Sequence, residues 1–262
     1  MTVFEYSADG IRREYLKINF NNINWSQKLY NLRYLSEVMM NIHKLDIVHH
    51  DLHPGNILSF NFKDYSVSIS DFGLSKLIGV NPNNSVKKNI VGVFSYIAPE
   101  ELSGDEYYTK AADVYSFVII AYEMITGFPP YSDIPHDKDL AMKICNGLRP
   151  KIPFHTPKLI TRTIMRCWDA RVTHRPTLKE LSEELGKYYN DYFPHIPNNF
   201  HKDSEIVIQI KKAEEFSANQ ESTNTTTTTT PIHKQFIPVD FLIIQIFQNP
   251  RTKKISKENL KN

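Results

Sequence analysis

The stretch at residues 113–127, "DVYSFVIIAYEMITG", constrains the fold more than any other part of the chain. It is apolar nearly all round, so as a helix it has no face to offer water and belongs at the centre of a helical domain. Other segments carry the one-sided patterns that can surround it. From Asn24 onward Leu29, Leu32, Leu35, Val38, Met39, Ile42 and Leu45 recur at helical spacing, with Asn24 able to cap and Gln27 three residues on. "DKDLAMKICNG", "PKLITRTIMRCW" and "TLKELSEELGKYYND" read as three more helices. "NILSF" and "YSVSIS", on either side of the turn "NFKD", read as two short strands of a small hairpin. Residues 1–6 read as a strand, and "ADGIRREYLK" as a turn running into a short helix. The expected fold class is mainly α: a helical bundle with one small β-hairpin.

Composition narrows the setting. The 262 residues are 41% hydrophobic, enough for one large core or two modest ones, and the net charge is +2. That balance requires neither a nucleic-acid nor a membrane partner, since such binding needs a clustered basic surface. Cys145 and Cys167 form no CxxC pair, which is the pattern of reduced thiols in a cytoplasmic or nuclear protein. The longest apolar runs, "FVIIAYEMI" and "FLIIQIF", fall short of the roughly 20 residues that a membrane span needs. A soluble, cytoplasmic protein is expected. After about residue 196 the character changes. "DSEIVIQIKKAEEF" reads as a further amphipathic helix, "NTTTTTT" cannot pack a core, and "PRTKKISKENLKN" reads as a basic, disordered end.

Three polar signals then appear in order. "HHDLHPGN", from His49 to Asn56, fits the pattern H-x-D-L-x-x-x-N; Asp71-Phe72-Gly73 follows the hairpin; Ala98-Pro99-Glu100 closes an irregular segment. His49 and His53 stand four apart, a spacing that on a helix would align two zinc ligands. Pro54-Gly55 breaks any helix there, and no further ligand cluster is apparent. A polar turn without a role accounts for the first signal alone and leaves the other two unexplained.

Taken together, these signals give a chain that resembles the eukaryotic protein kinase family, in its serine/threonine and tyrosine-kinase-like groups. The resemblance covers roughly residues 1–192. It includes "DVYSF" at Asp113 and "CWDARVTHRPT", whose Arg175 matches the arginine that pairs with the Ala-Pro-Glu glutamate, here Glu100. It implies the large lobe and hinge of a kinase, an ATP:protein phosphotransferase with ATP and Mg²⁺ as cofactors and a protein substrate. Asp51 would orient the acceptor hydroxyl and take its proton. His53, where lysine is usual, would donate to the γ-phosphate. Asn56 and Asp71 would hold Mg²⁺, which prefers oxygen ligands. Glu5 to Ser7 would offer hinge backbone to adenine, with Phe4 at the gatekeeper position and Leu58 beneath the base. His49 would pack under Phe72, and Asp113 would bind the backbone of the catalytic loop. "GVFSYIAPE" lacks the tryptophan that true tyrosine kinases tend to place before Ala-Pro-Glu, so serine/threonine is the expected acceptor.

The sequence also departs from the family. Fifty residues precede Asp51, no GxGxxG occurs, and the small lobe that roofs ATP is expected to be largely absent. Residues 1–196 therefore read as a truncated kinase domain, hinge and large lobe, with residues 197–262 as a tail. The runner-up is a catalytically inactive half-kinase acting as a binding or scaffold module. On either reading a partner is expected over the exposed floor of the ATP site at Phe4, Leu58 and Phe72. His50 replaces the arginine that grips a phosphate on the activation segment, where Ser75, Ser85 and Ser95 are the candidate positions. Val93 stands where threonine is common, and Val118 where glycine is common.

Overall fold

Asn24 starts the fold as a helix cap. Its side chain accepts the Gln27 backbone N–H at 2.9 Å, and the Gln27 side chain accepts the Asn24 N–H at 3.0 Å. This reciprocal pair satisfies two donors that a helix start leaves orphaned. Helix α1 runs Trp25–Lys44 and buries Leu29, Leu32, Leu35 and Met39 along one face. Strand β1 (Ile47–Val48) follows after Asp46, whose φ of 55° reverses the chain. Strands β2 (Ile57–Asn61) and β3 (Ser66–Ile69) pair antiparallel with Ile57 opposite Ile69, so the expected hairpin is present. Strand β4 (Lys76–Leu77) returns to β1, with Val48 opposite Lys76. Helices then take over: α2 (Pro99–Leu102), α3 (Lys110–Thr126), α4 (Lys138–Cys145), α5 (Lys158–Cys167), α6 (Leu178–Tyr192) and α7 (Glu205–Thr223). This computed structural model describes Phe20 and residues 23–61, 66–78, 93–104, 109–193 and 203–223. The strand and helix expected in residues 1–19, the hinge residues Phe4, Glu5 and Ser7, the poly-Thr stretch and the basic end lie outside those residues.

Helix α3 is the axis of the core. Thr109 caps it by accepting the Ala112 N–H at 3.2 Å, and every residue from Ala112 to Thr126 is buried. It stops at Gly127, where φ is 75° and a Cβ would lie 2.7 Å from the Phe20 ring; both demand glycine. Helix α1 packs on α3 and α6, and α5 packs on α3. A second cluster, with Phe94, Ile97, Leu102, Tyr131, Leu140 and Ile144, seats α2 against α4. Trp168, read as core, is buried. Among the described residues no helix is long and apolar enough to cross a membrane.

Composition changes near residue 196, but packing does not stop there. Ile206, Val207, Ile210 and Ala213 of α7 belong to the same core as α1 and α3. Helix α5 begins after Pro157, which supplies no side-chain cap, and Gln209 of α7 accepts the Leu159 N–H at 2.9 Å in its place. Tyr192 donates to Glu214 at 3.0 Å, and Ser204 to Asp191 at 2.8 Å. The helix expected in "DSEIVIQIKKAEEF" is thus built into the fold.

Glu100 and Arg175 meet as expected, side by side. The two guanidinium nitrogens donate to the two carboxylate oxygens at 2.7 Å each, and the arginine side chain is fully buried. Arg175 also donates to the carbonyls of Ala111 and Asp169 at 3.0 and 2.9 Å, which ties α2 to the start of α3 and to the loop before α6. Such a fork leaves few donors unspent, so its loss strands a buried carboxylate. Arg175→Met is expected to lower unfolding free energy by about 3–5 kcal/mol in urea denaturation. Lysine at this position is expected to recover only part of that, because it cannot make the fork.

Lys28 of α1 donates to the Ile125 carbonyl at 3.1 Å, with Phe20 and Trp25 rings beside its ammonium. Burial pushes its pKa down from 10.5 to about 8, against the opposing pull of Glu214. The folded state therefore releases this proton before the unfolded chain does, and stability gains from Lys28 as pH rises from about 8 to about 10.5. The stability of the wild type relative to Lys28→Met is expected to climb across that window in thermal melts. A flat difference would contradict the assignment.

Candidate active site

The loop between β1 and β2 is short, polar and almost wholly buried. What holds it is Asp113, in the first turn of α3 and 2% exposed. Its carboxylate accepts the backbone N–H of His49 at 2.8 Å and of His50 at 3.0 Å, and it meets His43 Nε2 at 2.9 Å. Two consecutive amides captured this way require a bend, and His50 provides it with φ of 77°. The supporting role expected of Asp113 is seen directly.

From that bend the remaining groups are laid out. His49 is fully buried; its Nε2 faces the Ser70 carbonyl at 3.0 Å and its Nδ1 faces the Asp51 N–H at 3.4 Å. This pattern fixes the neutral tautomer with the proton on Nε2. Phe72 lies over the ring, centroids 4.9 Å apart, as expected. Both ring nitrogens are spent on backbone, so His49 is a packing residue rather than a ligand.

Asp51 is 7% exposed, and Asn56 Nδ2 donates both to its carbonyl at 2.8 Å and to its Oδ2 at 3.3 Å. His53 Nε2 stands 3.7 Å from the same oxygen, an electrostatic contact longer than a hydrogen bond. Burial alone would raise the Asp51 carboxyl. Polar contacts from His53 and Asn56 outweigh that and hold it below the usual carboxylate range. Asp71 reaches the same region along the hairpin. Ser70 N–H donates to the Asn56 carbonyl at 2.9 Å, which places Asp71 at the strand end beside Asn56. Asp71 is exposed, with φ of 60°, and one carboxylate oxygen accepts the Gly73 N–H at 3.2 Å. Leu58 is half-buried in β2, opposite Ser68.

This order of groups has a counterpart in known proteins. The sequence profile of the family described as protein tyrosine and serine/threonine kinase matches residues 1–185. The chain belongs to that family. It is 39% identical over 150 residues to dual specificity protein kinase shkE of Dictyostelium discoideum, covering 56% of this chain and 20% of that protein. It is 37% identical to serine/threonine-protein kinase VIK of Arabidopsis thaliana, over 54% of this chain and 32% of that one. It is 32% identical to tyrosine-protein kinase SPK-1 of Girardia tigrina, over 71% of this chain and 38% of that one. The chain spans between a fifth and two-fifths of the length of these relatives.

Within the family frame two positions are distinctive. His50, in place of arginine, turns its ring inward. Nε2 lies 3.8 Å from Glu101 Oε1, and burial pushes the ring down to about pKa 4, so it is neutral near physiological pH. A neutral ring does not present the charge that an activation-segment phosphate would need. Ser95, one of the candidate positions, is fully buried with its hydroxyl 3.3 Å from His136 Nδ1, which corrects its reading as an available site. Ser75 donates to the Phe72 carbonyl at 2.7 Å, and Ser85 lies outside the described residues. The end of the activation segment is anchored from below, where Ser116 donates to the Tyr96 carbonyl at 2.7 Å.

His53, in place of lysine, is held by its neighbour. Its Nδ1 accepts the Gly55 N–H at 3.0 Å, which leaves the proton on Nε2, toward Asp51. Pro54 and Gly55 form a 3-10 turn that delivers Asn56, and a Cβ on Gly55 would lie 2.6 Å from His53 Cε1. The glycine is thus there for close approach, not for an unusual φ. Gly55→Ala is expected to push the imidazole off Asp51 and to destabilise the protein by about 1–3 kcal/mol. Loss of protection of the residue 55 amide and a shifted His53 ring resonance by NMR would show it.

Proposed function

We propose that the chain transfers the γ-phosphate of ATP to protein hydroxyls, with serine and threonine as the acceptors. The observation that carries this reading is the Asp51 carboxylate, held ionised and oriented by Asn56 and His53 at one end of the hairpin. A carboxylate that stays ionised in a near-buried loop is suited to orient an acceptor hydroxyl and accept its proton. His53 Nε2–H, directed toward that carboxylate, would donate to a phosphate oxygen arriving beside it. The residues also fit Mg²⁺. With its amide nitrogen committed to Asp51, Asn56 has its carbonyl oxygen for a cation, and exposed Asp71 adds carboxylate oxygen. Asn56 and Asp71 would hold Mg²⁺, whose positive charge would offset that of the phosphates. Serine/threonine preference rests on "GVFSYIAPE", since the relatives' names span serine/threonine, tyrosine and dual specificity.

The test is transfer of label from ATP by the purified chain to mixed serine, threonine and tyrosine peptides, followed by phosphoamino-acid analysis. Asp51→Asn is expected to lower turnover by about 10²–10⁴-fold. Mg·ATP affinity should stay within about threefold, because the base acts on the hydroxyl. Equal turnover in the mutant removes Asp51 from the mechanism. Absence of both transfer and nucleotide binding in the wild type would put the binding-module reading in its place.

A further inference from the structure

The turn Phe94–Tyr96, at the end of the activation segment, is wedged between two cores. Val93, Tyr96 and Ala98 belong to the main one with α1 and α3, whereas Phe94 and Ile97 belong to the cluster that seats α2 against α4. Apolar burial holds the turn in place but is non-directional, so polar contacts set its rotation. Two of them come from α3: Ser116 donates to the Tyr96 carbonyl at 2.7 Å, and the Tyr96 hydroxyl donates to Glu123 at 2.5 Å. On the other side the fully buried Ser95 hydroxyl meets His136 Nδ1 at 3.3 Å.

His136 lies in the connection between α3 and α4, beside Asp137, which caps α4 by accepting the Asp139 and Leu140 N–H groups at 3.0 and 3.2 Å. The connection is itself held. Tyr131, with φ of 56°, is buried in the second cluster and donates to the Leu148 carbonyl at 3.2 Å. A ring fixed at the start of α4 thus bonds the residue next to Tyr96, whose own ring stands 6.3 Å from that of His53. A peptide whose hydroxyl reaches Asp51 therefore has this turn beside it. Without the imidazole nitrogen Ser95 would lose its bond where no water can replace it, leaving the turn to rotate about its two α3 ties.

We infer that His136 is a positioning residue for the acceptor peptide: through Ser95 it ties the turn to the start of α4 and fixes the surface that a peptide meets beside Asp51. The inference rests on the phosphotransfer reading for its kinetic consequence but not for its structural one. In His136→Phe, which keeps a ring but no nitrogen, KM for a serine peptide is expected to rise about three- to tenfold. Both kcat and KM for ATP should stay within about twofold. Exchange of the Tyr96 and Ile97 amides, bonded to the Val93 and Phe94 carbonyls, should speed by about three- to tenfold, while amides of α5 and α6 keep their rates. His136→Asn, whose side-chain amide stands where Nδ1 does, should recover both. Ser95→Ala should reproduce His136→Phe, and the double variant should be no worse than either. Wild-type peptide KM and wild-type exchange at Tyr96 and Ile97 in His136→Phe overturn the inference. So does a rise in peptide KM that asparagine does not reverse and that adds to the effect of Ser95→Ala, since the ring then acts by another route. Acceleration spread evenly through α5 and α6 also overturns it, because that is ordinary destabilisation. If His136→Phe does not fold, Ser95→Ala is read in its place, with the same outcomes. A wild type without phosphotransfer counts against the proposed function, and the exchange rates still decide the role of His136.

Discussion

A single buried carboxylate holds the loop to the core. Asp113 stands where the most apolar helix of the protein begins, and a charge there would cost several kcal/mol if left alone. It is tolerated because backbone amides, an imidazole and the positive end of α3 surround it. The same contacts turn the cost into geometry. The loop cannot shift without stripping partners from a charge that has no water to fall back on. Glu100 and Arg175 apply this logic to α2, with a fork in place of two amides. Asp113 thus anchors the loop from α3, and Arg175 anchors α2 from the segment before α6.

The histidines of the loop show how little a residue type says by itself. His49, His50 and His53 lie within five residues and have three different surroundings. His49 spends both nitrogens on backbone and offers its face to Phe72. His50 is half-buried beside Glu101 and carries no charge near neutral pH. His53 is pinned by Gly55 and points its proton at Asp51. Their roles follow from what each nitrogen faces, and that is set by backbone angles: the left-handed φ at His50 and the 3-10 turn after His53.

Much of this was legible in the sequence. Helices α1 and α3 follow from periodicity and from its absence, the cap at Asn24 from spacing, and Glu100 with Arg175 from the family resemblance. Asp51, Asn56 and Asp71 are gathered at one end of the hairpin because the motif spacing and the strand pairing agree. His43 was not legible. It sits between apolar Ile42 and Leu45 on a helix, and its meaning depends on a partner 70 positions away. The membership of α7 was hidden by a composition change that precedes it, and Gln209 as the cap of α5 is a contact across 50 positions. The inward turn of His50 was also invisible, because sequence shows a missing arginine but not where the replacing ring goes. Long-range polar pairing is what periodicity cannot report.

The distance along the chain between the loop and its anchor also has a consequence in time. Residues 49–51 leave a ribosome well before Asp113, which follows His49 by 64 positions. At about 5–20 residues per second, that is an interval of roughly 3–13 s in which the loop exists without its anchor. Arg175 reaches Glu100 only after 75 further positions. During synthesis the polar loop therefore lacks, for that interval, the carboxylate that captures its amides in the folded chain. It acquires its final geometry only when the apolar helix behind Asp113 emerges and collapses onto α1.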